Sequence, residues 1–148
     1  MGYVPRRDDR VIGFGASAIG DLGRGYFQNE KRLSRYMERV SAGGLPIERG
    51  FLLEPDDIAR RFVIQEVLCR SRVDHGEFAR RFGIAFGEYF GAERSCLEEL
   101  AEDGLVDLLP GRLEVTATGR LFLRNIAMIF DGHLRREPWA AAVHSPTV

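Results

Sequence analysis

Apolar positions in the first third of the chain follow more than one spacing. Residues 11–14 form an apolar run that predicts the end of a strand, and the glycine-rich stretch after it predicts a loop up to residue 29. Residues 30–41 have apolar side chains at i, i+3, i+4 and i+7, which predicts an amphipathic helix capped by Asn29. Residues 47–53 fit either a strand or an extended connector.

The pattern changes after this connector. A long helix with a broad apolar face is predicted to start at Pro55, a short helix to end at Gly83, and a third helix to end at Gly104. Residues 105–116 predict two strands joined by a Pro-Gly turn, and a last amphipathic helix follows them.

This order of elements is typical of a winged-helix domain, which we assign to residues 54–136. The expected fold class is mainly α with a small β component, in which the wing has two strands. Residues 137–148 contain proline and have no periodicity, so they predict a flexible tail.

Composition limits the partners of the chain. Its 148 residues are 45% hydrophobic and carry a formal net charge of −1, which predicts a globular protein without a global field for nucleic acid or anionic lipid. Apolar runs of at most five residues are too short to span a bilayer, and residues 1–10 lack the apolar core of a secretory signal. We therefore expect a cytoplasmic protein without a membrane partner.

A winged helix that reads DNA places the helix before the wing in the major groove. Here residues 84–103 carry six acidic side chains and one basic side chain, Arg94. Phosphates would be repelled by this helix, because DNA affinity depends on their neutralisation by Lys and Arg. The sequence therefore predicts no nucleic-acid binding and an acidic helix face exposed to solvent.

Cysteines and histidines give no metal motif. The two cysteines, Cys69 and Cys96, are 27 residues apart, and we expect reduced core thiols because free cysteine is usually buried. The sequence has no C-x-x-C pair, and its three histidines lack metal-ligand spacing. No metal site is predicted in this chain.

The stretch VIGFGASAIG contains G-x-G-x-x-A, a variant of the dinucleotide-binding fingerprint. That motif requires a helix that starts at its glycines, but Gly20, Gly23 and Gly25 follow at once. The context excludes a Rossmann domain. Glycines here are explained either by tight structural packing or by close approach of the backbone to a ligand.

Four stretches of the chain form a recognisable series, which runs IGFGASAIG, GYFQN, RGFLLEPDDIARRFVIQEVLC and LAEDGLVDLLPGRLEVTATGRLFLRNIAMIFD. In this order they resemble the C-terminal third of the oxygen-independent coproporphyrinogen III oxidase family. The resemblance extends from about residue 11 to residue 136, which is nearly the whole chain.

The resemblance implies a radical S-adenosylmethionine (SAM) enzyme that decarboxylates two propionates of coproporphyrinogen III to vinyl groups and yields protoporphyrinogen IX. It also implies a [4Fe–4S] cluster and two SAM molecules in the full-length enzyme. The isoleucine of the family's S-A-I tripeptide contacts the second SAM and falls on Ile19. Gly13, Gly15, Ser17 and Ala18 are weaker candidates for the same cofactor.

One departure from the family is clear. The resemblance implies cluster cysteines in a C-x-x-x-C-x-x-C motif of an N-terminal barrel, and this sequence has neither the motif nor the barrel. We expect residues 1–53 to be the last strand, loop and helix of a truncated (β/α) barrel. The chain alone should then be inactive, as part of a full-length enzyme that is a monomer.

A substrate with four propionates makes arginines natural partners, because guanidinium binds carboxylate in a bidentate manner. Arginines in the matched segments are Arg49, Arg60, Arg61, Arg120 and Arg124. The selected candidates are Arg49, Arg120 and Arg124, with Gln28 in the same role. Internal ion pairs are the alternative for the arginines, as Arg60 follows Asp56 by four residues on a predicted helix.

Two other functions stay open at this point. One is a separate winged-helix interaction module without catalysis. The other is a related radical SAM protein that binds or transfers haem.

The expected truncation gives a prediction about association. Val11, Ile12 and Phe14 would form an unpaired strand edge, which promotes contact between chains. We expect concentration-dependent self-association in light scattering. A monomer at every concentration would contradict this expectation.

Overall fold

The computed structural model of the protein describes residues 10–136, which form two units, residues 10–58 and residues 59–136. The first unit contains three strands and one helix. In chain order these are β1 (Ile19–Asp21), β2 (Gly25–Asn29), α1 (Leu33–Ser41) and β3 (Ile47–Leu52). The strands form an antiparallel sheet in the order β1-β2-β3.

The prediction of a loop through residue 29 is wrong, because β1 and β2 lie within that segment. Its glycines serve the pairing: the absent Cβ of Gly20 leaves room for the Phe27 ring, and a Cβ on Gly25 would lie 2.7 Å from the carbonyl oxygen of Phe51. Gly23 makes the turn between the strands with a φ of +82°, a conformation that glycine adopts without steric cost. A high density of glycine is therefore not sufficient evidence for a loop in this segment.

The strand predicted at residues 11–14 is reduced to one bridge. Val11 and Asp21 exchange two backbone hydrogen bonds of 2.8 and 2.7 Å, and the residues after Val11 leave the sheet. The expected arrangement of strand, loop and helix is thus replaced by a three-stranded sheet with one helix.

Helix α1 begins three residues later than predicted, and its N-cap is Arg32, without a side-chain cap. The predicted cap, Asn29, is instead the last residue of β2. The apolar stripe of α1 is largely exposed: Leu33, Met37 and Val40 are 65%, 52% and 43% accessible. This exposed stripe adds to the apolar surface from which self-association is expected.

The second unit begins within a long helix, α2 (Pro55–Arg70). Strands β4 (Arg72–Asp74), β5 (Val106–Leu109) and β6 (Arg112–Val115) form an antiparallel sheet in the order β4-β6-β5. The prediction of two strands in this unit therefore missed the third strand, β4. Strand β4 has three residues, which is too short for an alternating pattern to be recognised.

Helices α3 (His75–Phe82), α4 (Phe86–Tyr89), α5 (Arg94–Glu102), α6 (Leu123–Met128) and α7 (Gly132–Arg136) complete this unit, with 3₁₀ turns at Gly91–Glu93 and Gly119–Phe122. The two longer helices expected in the last third are each divided. Because the described chain contains two antiparallel sheets in addition to its helices, the fold is mixed α/β and not mainly α.

The glycine signals at the ends of the shorter elements are confirmed, and Gly83 ends α3 with a φ of +74°. At the start of α3, Asp74 is a cap that was not predicted, and its side chain accepts a hydrogen bond from the Glu77 amide at 2.6 Å. Gly104 and Gly111 also have positive φ, after α5 and in the hairpin turn. Turns and helix ends are thus predictable from the sequence where a single residue determines the backbone conformation.

The core of the second unit is rich in phenylalanine. Phe78, Phe86, Phe90 and Phe130 are buried and lie in mutual ring contact, for example with 4.8 Å between the centroids of Phe86 and Phe90. Cys69 and Cys96 are free and half-buried, which is less burial than expected. The predicted tail lies outside the described residues.

A buried ion pair joins separate parts of this core. Arg60 donates from Nη1 to Glu93 Oε1 at 2.8 Å and to the Phe130 carbonyl at 3.3 Å, and Glu93 is 1% exposed. Its guanidinium also lies 5.6 Å from the centre of the Phe90 ring. The internal ion-pair alternative therefore holds for Arg60, which pairs with Glu93.

His75 gives a pH-dependent prediction. Its ring stacks on Phe86 with 4.2 Å between centroids, and Nε2 is buried without a hydrogen-bond partner in the described part of the chain. Burial lowers the pKa of His75 below its ordinary value of 6.5, against the opposing effect of the Asp74 carboxylate. The unfolded chain then binds the proton more readily, so stability decreases as pH falls below about 6.5.

We expect His75→Phe to reduce the loss of unfolding free energy between pH 7.5 and 5.5, measured by urea denaturation. The control is His133→Gln, which changes an exposed histidine in the same unit. An unchanged pH dependence in His75→Phe would contradict the assignment.

Candidate binding site on the first sheet

One face of the first sheet brings three predicted site residues into a row. Ile19 on β1 pairs with Gln28 on β2, and Gln28 pairs with Arg49 on β3. Directly opposed residues of antiparallel strands project to the same face. The structure therefore aligns an apolar, an amide and a cationic side chain across the sheet.

Hydrogen bonds fix the polar part of this row. Arg49 donates from Nε to Gln28 Oε1 at 2.9 Å, and Gln28 donates from Nε2 to the Ser17 carbonyl at 3.1 Å. The amide of Gln28 thus connects the guanidinium to the loop before β1. The terminal nitrogens of Arg49 have no hydrogen-bond or ion-pair partner among residues 10–136, so they are available to an anionic ligand.

Aromatic side chains lie beside this row. Tyr26 and Phe51 are paired across β2 and β3, two residues from Gln28 and Arg49, and therefore share their face. Together with the row they line a groove of about 330 Å³, whose lining residues are Ile19, Tyr26, Phe27, Gln28, Arg49, Gly50 and Phe51. Ile19 and Phe51 are 51% and 48% exposed. The groove can bind a ligand that is apolar over most of its surface and carries a carboxylate.

The other predicted cofactor residues form the loop before β1. Asn29 is buried and donates from Nδ2 to the carbonyls of Gly13 and Gly15 at 3.1 and 3.0 Å. The Ser17 amide donates to the Glu30 carbonyl, and the Ala18 carbonyl accepts from the Asn29 amide, both at 2.9 Å. These backbone groups hold the loop against β2, while their side chains do not line the groove.

Different constraints explain two of the small residues. A Cβ on Gly13 would lie 2.7 Å from the Ile19 carbonyl oxygen, so close packing requires glycine there. Gly15 has open space around its Cα but a φ of +100°, a conformation that glycine adopts without steric cost. The Gly15 amide donates to the Tyr36 hydroxyl at 3.1 Å.

Arg120 and Arg124 belong to the second unit, in the 3₁₀ turn and in α6 respectively. They do not line the groove of the first unit. Arg120 instead lines a separate cavity together with Arg70 and Arg72.

Sequence reasoning did not select Tyr26 and Phe51 as site residues. Their signal was the alternation of GYFQN and ERGFL, which becomes meaningful only once both segments are recognised as strands. Among residues 10–136, no three His, Cys, Asp or Glu side chains are grouped as metal ligands would be. In the same range no helix has the length and apolarity that crossing a membrane requires.

Residues 53–122 match the protein family described as HemN C-terminal domain. This stretch is similar to a HemN C-terminal domain. It covers most of the second unit, whereas the groove lies on residues that precede the HemN C-terminal domain.

Relatives extend the similarity beyond the HemN C-terminal domain. The chain is 43% identical over 137 residues to oxygen-independent coproporphyrinogen III oxidase of Salmonella typhimurium, and 42% identical over 138 residues to that of Thermostichus vulcanus. Both matches cover 93% of this chain, but the chain spans only 30% and 42% of these relatives. The similarity is to the C-terminal region of such enzymes.

A solved structure gives the same match. The chain has a TM-score of 0.84 and 40% identity to coproporphyrinogen III oxidase of Escherichia coli, which is described as a radical SAM enzyme. The match covers 90% of this chain and 31% of that enzyme. It includes residues on both sides of the start of the HemN C-terminal domain.

Asn29 is the residue whose loss should most disturb the loop. Asn29→Ala leaves the carbonyls of Gly13 and Gly15 without their partner, and we expect a loss of about 1–3 kcal/mol in unfolding free energy. Asn29→Asp should cost at least as much, because it also removes the donor and adds a buried charge.

Hydrogen exchange at the Ser17 amide reports this loop directly, since that amide donates to Glu30. We expect faster exchange in both variants and little change in Lys31→Gln, which alters an exposed neighbour. Unchanged exchange in Asn29→Ala would contradict the bracing role.

Proposed function

We propose that this chain serves the oxygen-independent oxidation of coproporphyrinogen III, as the C-terminal region of a radical SAM enzyme. The observation that carries the proposal is the TM-score of 0.84, at 40% identity, with the Escherichia coli enzyme. In the proposed reaction each of two propionates of the substrate loses a hydrogen atom to the radical derived from SAM, one electron to an acceptor, and carbon dioxide, and thereby becomes a vinyl group. The product is protoporphyrinogen IX, an intermediate of haem biosynthesis.

The groove on the first sheet is our candidate for contact with SAM. Ile19 offers an exposed apolar surface, and Tyr26 and Phe51 offer aromatic faces on which an adenine ring can stack. Gly13, Gly15, Ser17 and Ala18 act through the loop that positions Ile19. When bound, SAM supplies the radical that starts hydrogen abstraction.

Arg49 is our candidate for a substrate propionate. Its free terminal nitrogens match a carboxylate, and the hydrogen bond from Nε to Gln28 restricts its rotation. Gln28 is then a positioning residue, because it acts through Arg49. The propionate role of Arg124 and Arg120 stays a prediction.

The [4Fe–4S] cluster does not fit this chain. The sequence has two cysteines, and residues 10–136 contain no grouping of three metal-ligating side chains. We therefore assign no step through a cluster to its residues.

A chimera tests the function. The region of the Escherichia coli enzyme that this chain matches is replaced by this chain, and protoporphyrinogen formation is measured without oxygen. We expect product from the chimera, a KM for coproporphyrinogen at least tenfold higher in Arg49→Gln, and a smaller increase in Gln28→Ala. Arg35→Gln, an exposed arginine of the same unit, is the control.

The outcomes separate the function from the site. A folded chimera that has its iron–sulfur absorbance but forms no product would overturn the proposed function, and haem binding without product would favour the haem-binding alternative. An active chimera with an unchanged KM in Arg49→Gln would overturn the role of Arg49 alone.

A further inference from the structure

The second unit contains a polar cavity of about 430 Å³ at the junction of α2 and β4. Its lining residues are Arg70, Ser71, Arg72, Glu114, Val115 and Arg120. Three of these six side chains are guanidinium groups, which is a dense concentration of positive charge on a chain whose net charge is −1. We propose that this cavity binds a small phosphate-bearing ligand.

The backbone at Ser71 brings two of the arginines together. Ser71 has a φ of +55°, in the left-handed region that is uncommon for residues other than glycine. Its amide donates to the Val67 carbonyl at the end of α2, while its carbonyl accepts from the Val115 amide of β6. This reversal places Arg70, the last residue of α2, and Arg72, the first residue of β4, on the same cavity.

Some of the charged side chains that line the cavity have ion-pair partners, and others do not. Glu114 is engaged by Arg112 on the same strand, with 2.9 Å between Oε1 and Nε, and Arg70 lies 3.5 Å from Glu66. Arg72 and Arg120 have no ion-pair or side-chain hydrogen-bond partner among residues 10–136. The two unpaired guanidinium groups therefore carry the proposal, while Arg70 also has a structural role at the helix end.

Phosphate suits this arrangement better than a single carboxylate does. A carboxylate has one negative charge and two oxygens, which one guanidinium saturates. A phosphate group carries up to two charges and at least three acceptor oxygens at neutral pH, so it can engage Arg72 and Arg120 together.

A small ligand suits the surroundings better than a nucleic acid. Asp107 on β5 pairs with Glu114 across the sheet, and Glu66 lies next to Arg70. A long polyanion would also meet Asp107 and Glu66 beyond the cavity, whereas a small anion would meet only Glu114, whose carboxylate Arg112 engages. Phosphate binding here does not depend on the function proposed for the first sheet.

The test uses the full chain and pyrophosphate as the probe, at low ionic strength and at a protein concentration where light scattering gives one species. Isothermal titration calorimetry measures the Kd, and amide chemical shifts locate the ligand. We expect saturable binding with shifts at residues 70–72 and 120. The double variant Arg72→Gln/Arg120→Gln should raise the Kd at least tenfold.

Arg94→Gln is the matched control, because it removes one exposed arginine of the same unit that pairs with Glu98 away from the cavity. Its Kd should stay within twofold of the parent chain, and circular dichroism checks that all variants fold. Absence of saturable pyrophosphate binding would overturn the proposal, as would an equal loss in Arg94→Gln.

Two further probes separate the ligand classes. Citrate that binds as tightly as pyrophosphate would overturn the assignment to phosphate. Duplex DNA that binds more tightly than pyrophosphate and displaces it would overturn the assignment to a small ligand.

Discussion

Buried polar groups must find partners inside the fold, and in the first unit this constraint falls on Asn29. Its side-chain amide donates to two loop carbonyls, and its backbone amide donates to a third. The loop is thereby fixed against β2, so Ile19 enters the sheet beside Gln28. In the second unit one carboxylate oxygen of the buried Glu93, Oε1, is engaged in the same way by Arg60. Both residues show how a few internal hydrogen bonds decide where exposed side chains lie.

Sequence patterns predicted the elements that depend on local signals. The helix end at Gly83 and the turn at Gly111 were predicted, because one residue sets each conformation. Strands β1 and β2 were not, since their glycines are required by cross-strand contacts that do not exist until the sheet forms. Ile19, Gln28 and Arg49 were selected separately, but their alignment depends on a register that no short stretch encodes. Tyr26 and Phe51 became site residues for the same reason.

The two units carry different candidate binding surfaces. The second unit holds the phenylalanine core and the arginine-lined cavity, while the first unit holds the groove with Ile19 and Arg49. The similarity to coproporphyrinogen III oxidases includes both. The two units therefore share one similarity but present surfaces of distinct charge and polarity.

The pairing of β2 with β3 has a consequence for how this protein can change in length. Gln28 pairs with Arg49 but Asn29 pairs with Ile47, so Glu48 is an extra residue in β3. Removal of Glu48 would leave a regular ladder in which Gln28 still faces Arg49 and Asn29 still faces Ile47. Removal of a residue at another point of β3 would instead move the side chains beyond it to the opposite face. The bulge is therefore a point at which β3 can lose a residue while Gln28 and Arg49 remain on one face of the sheet.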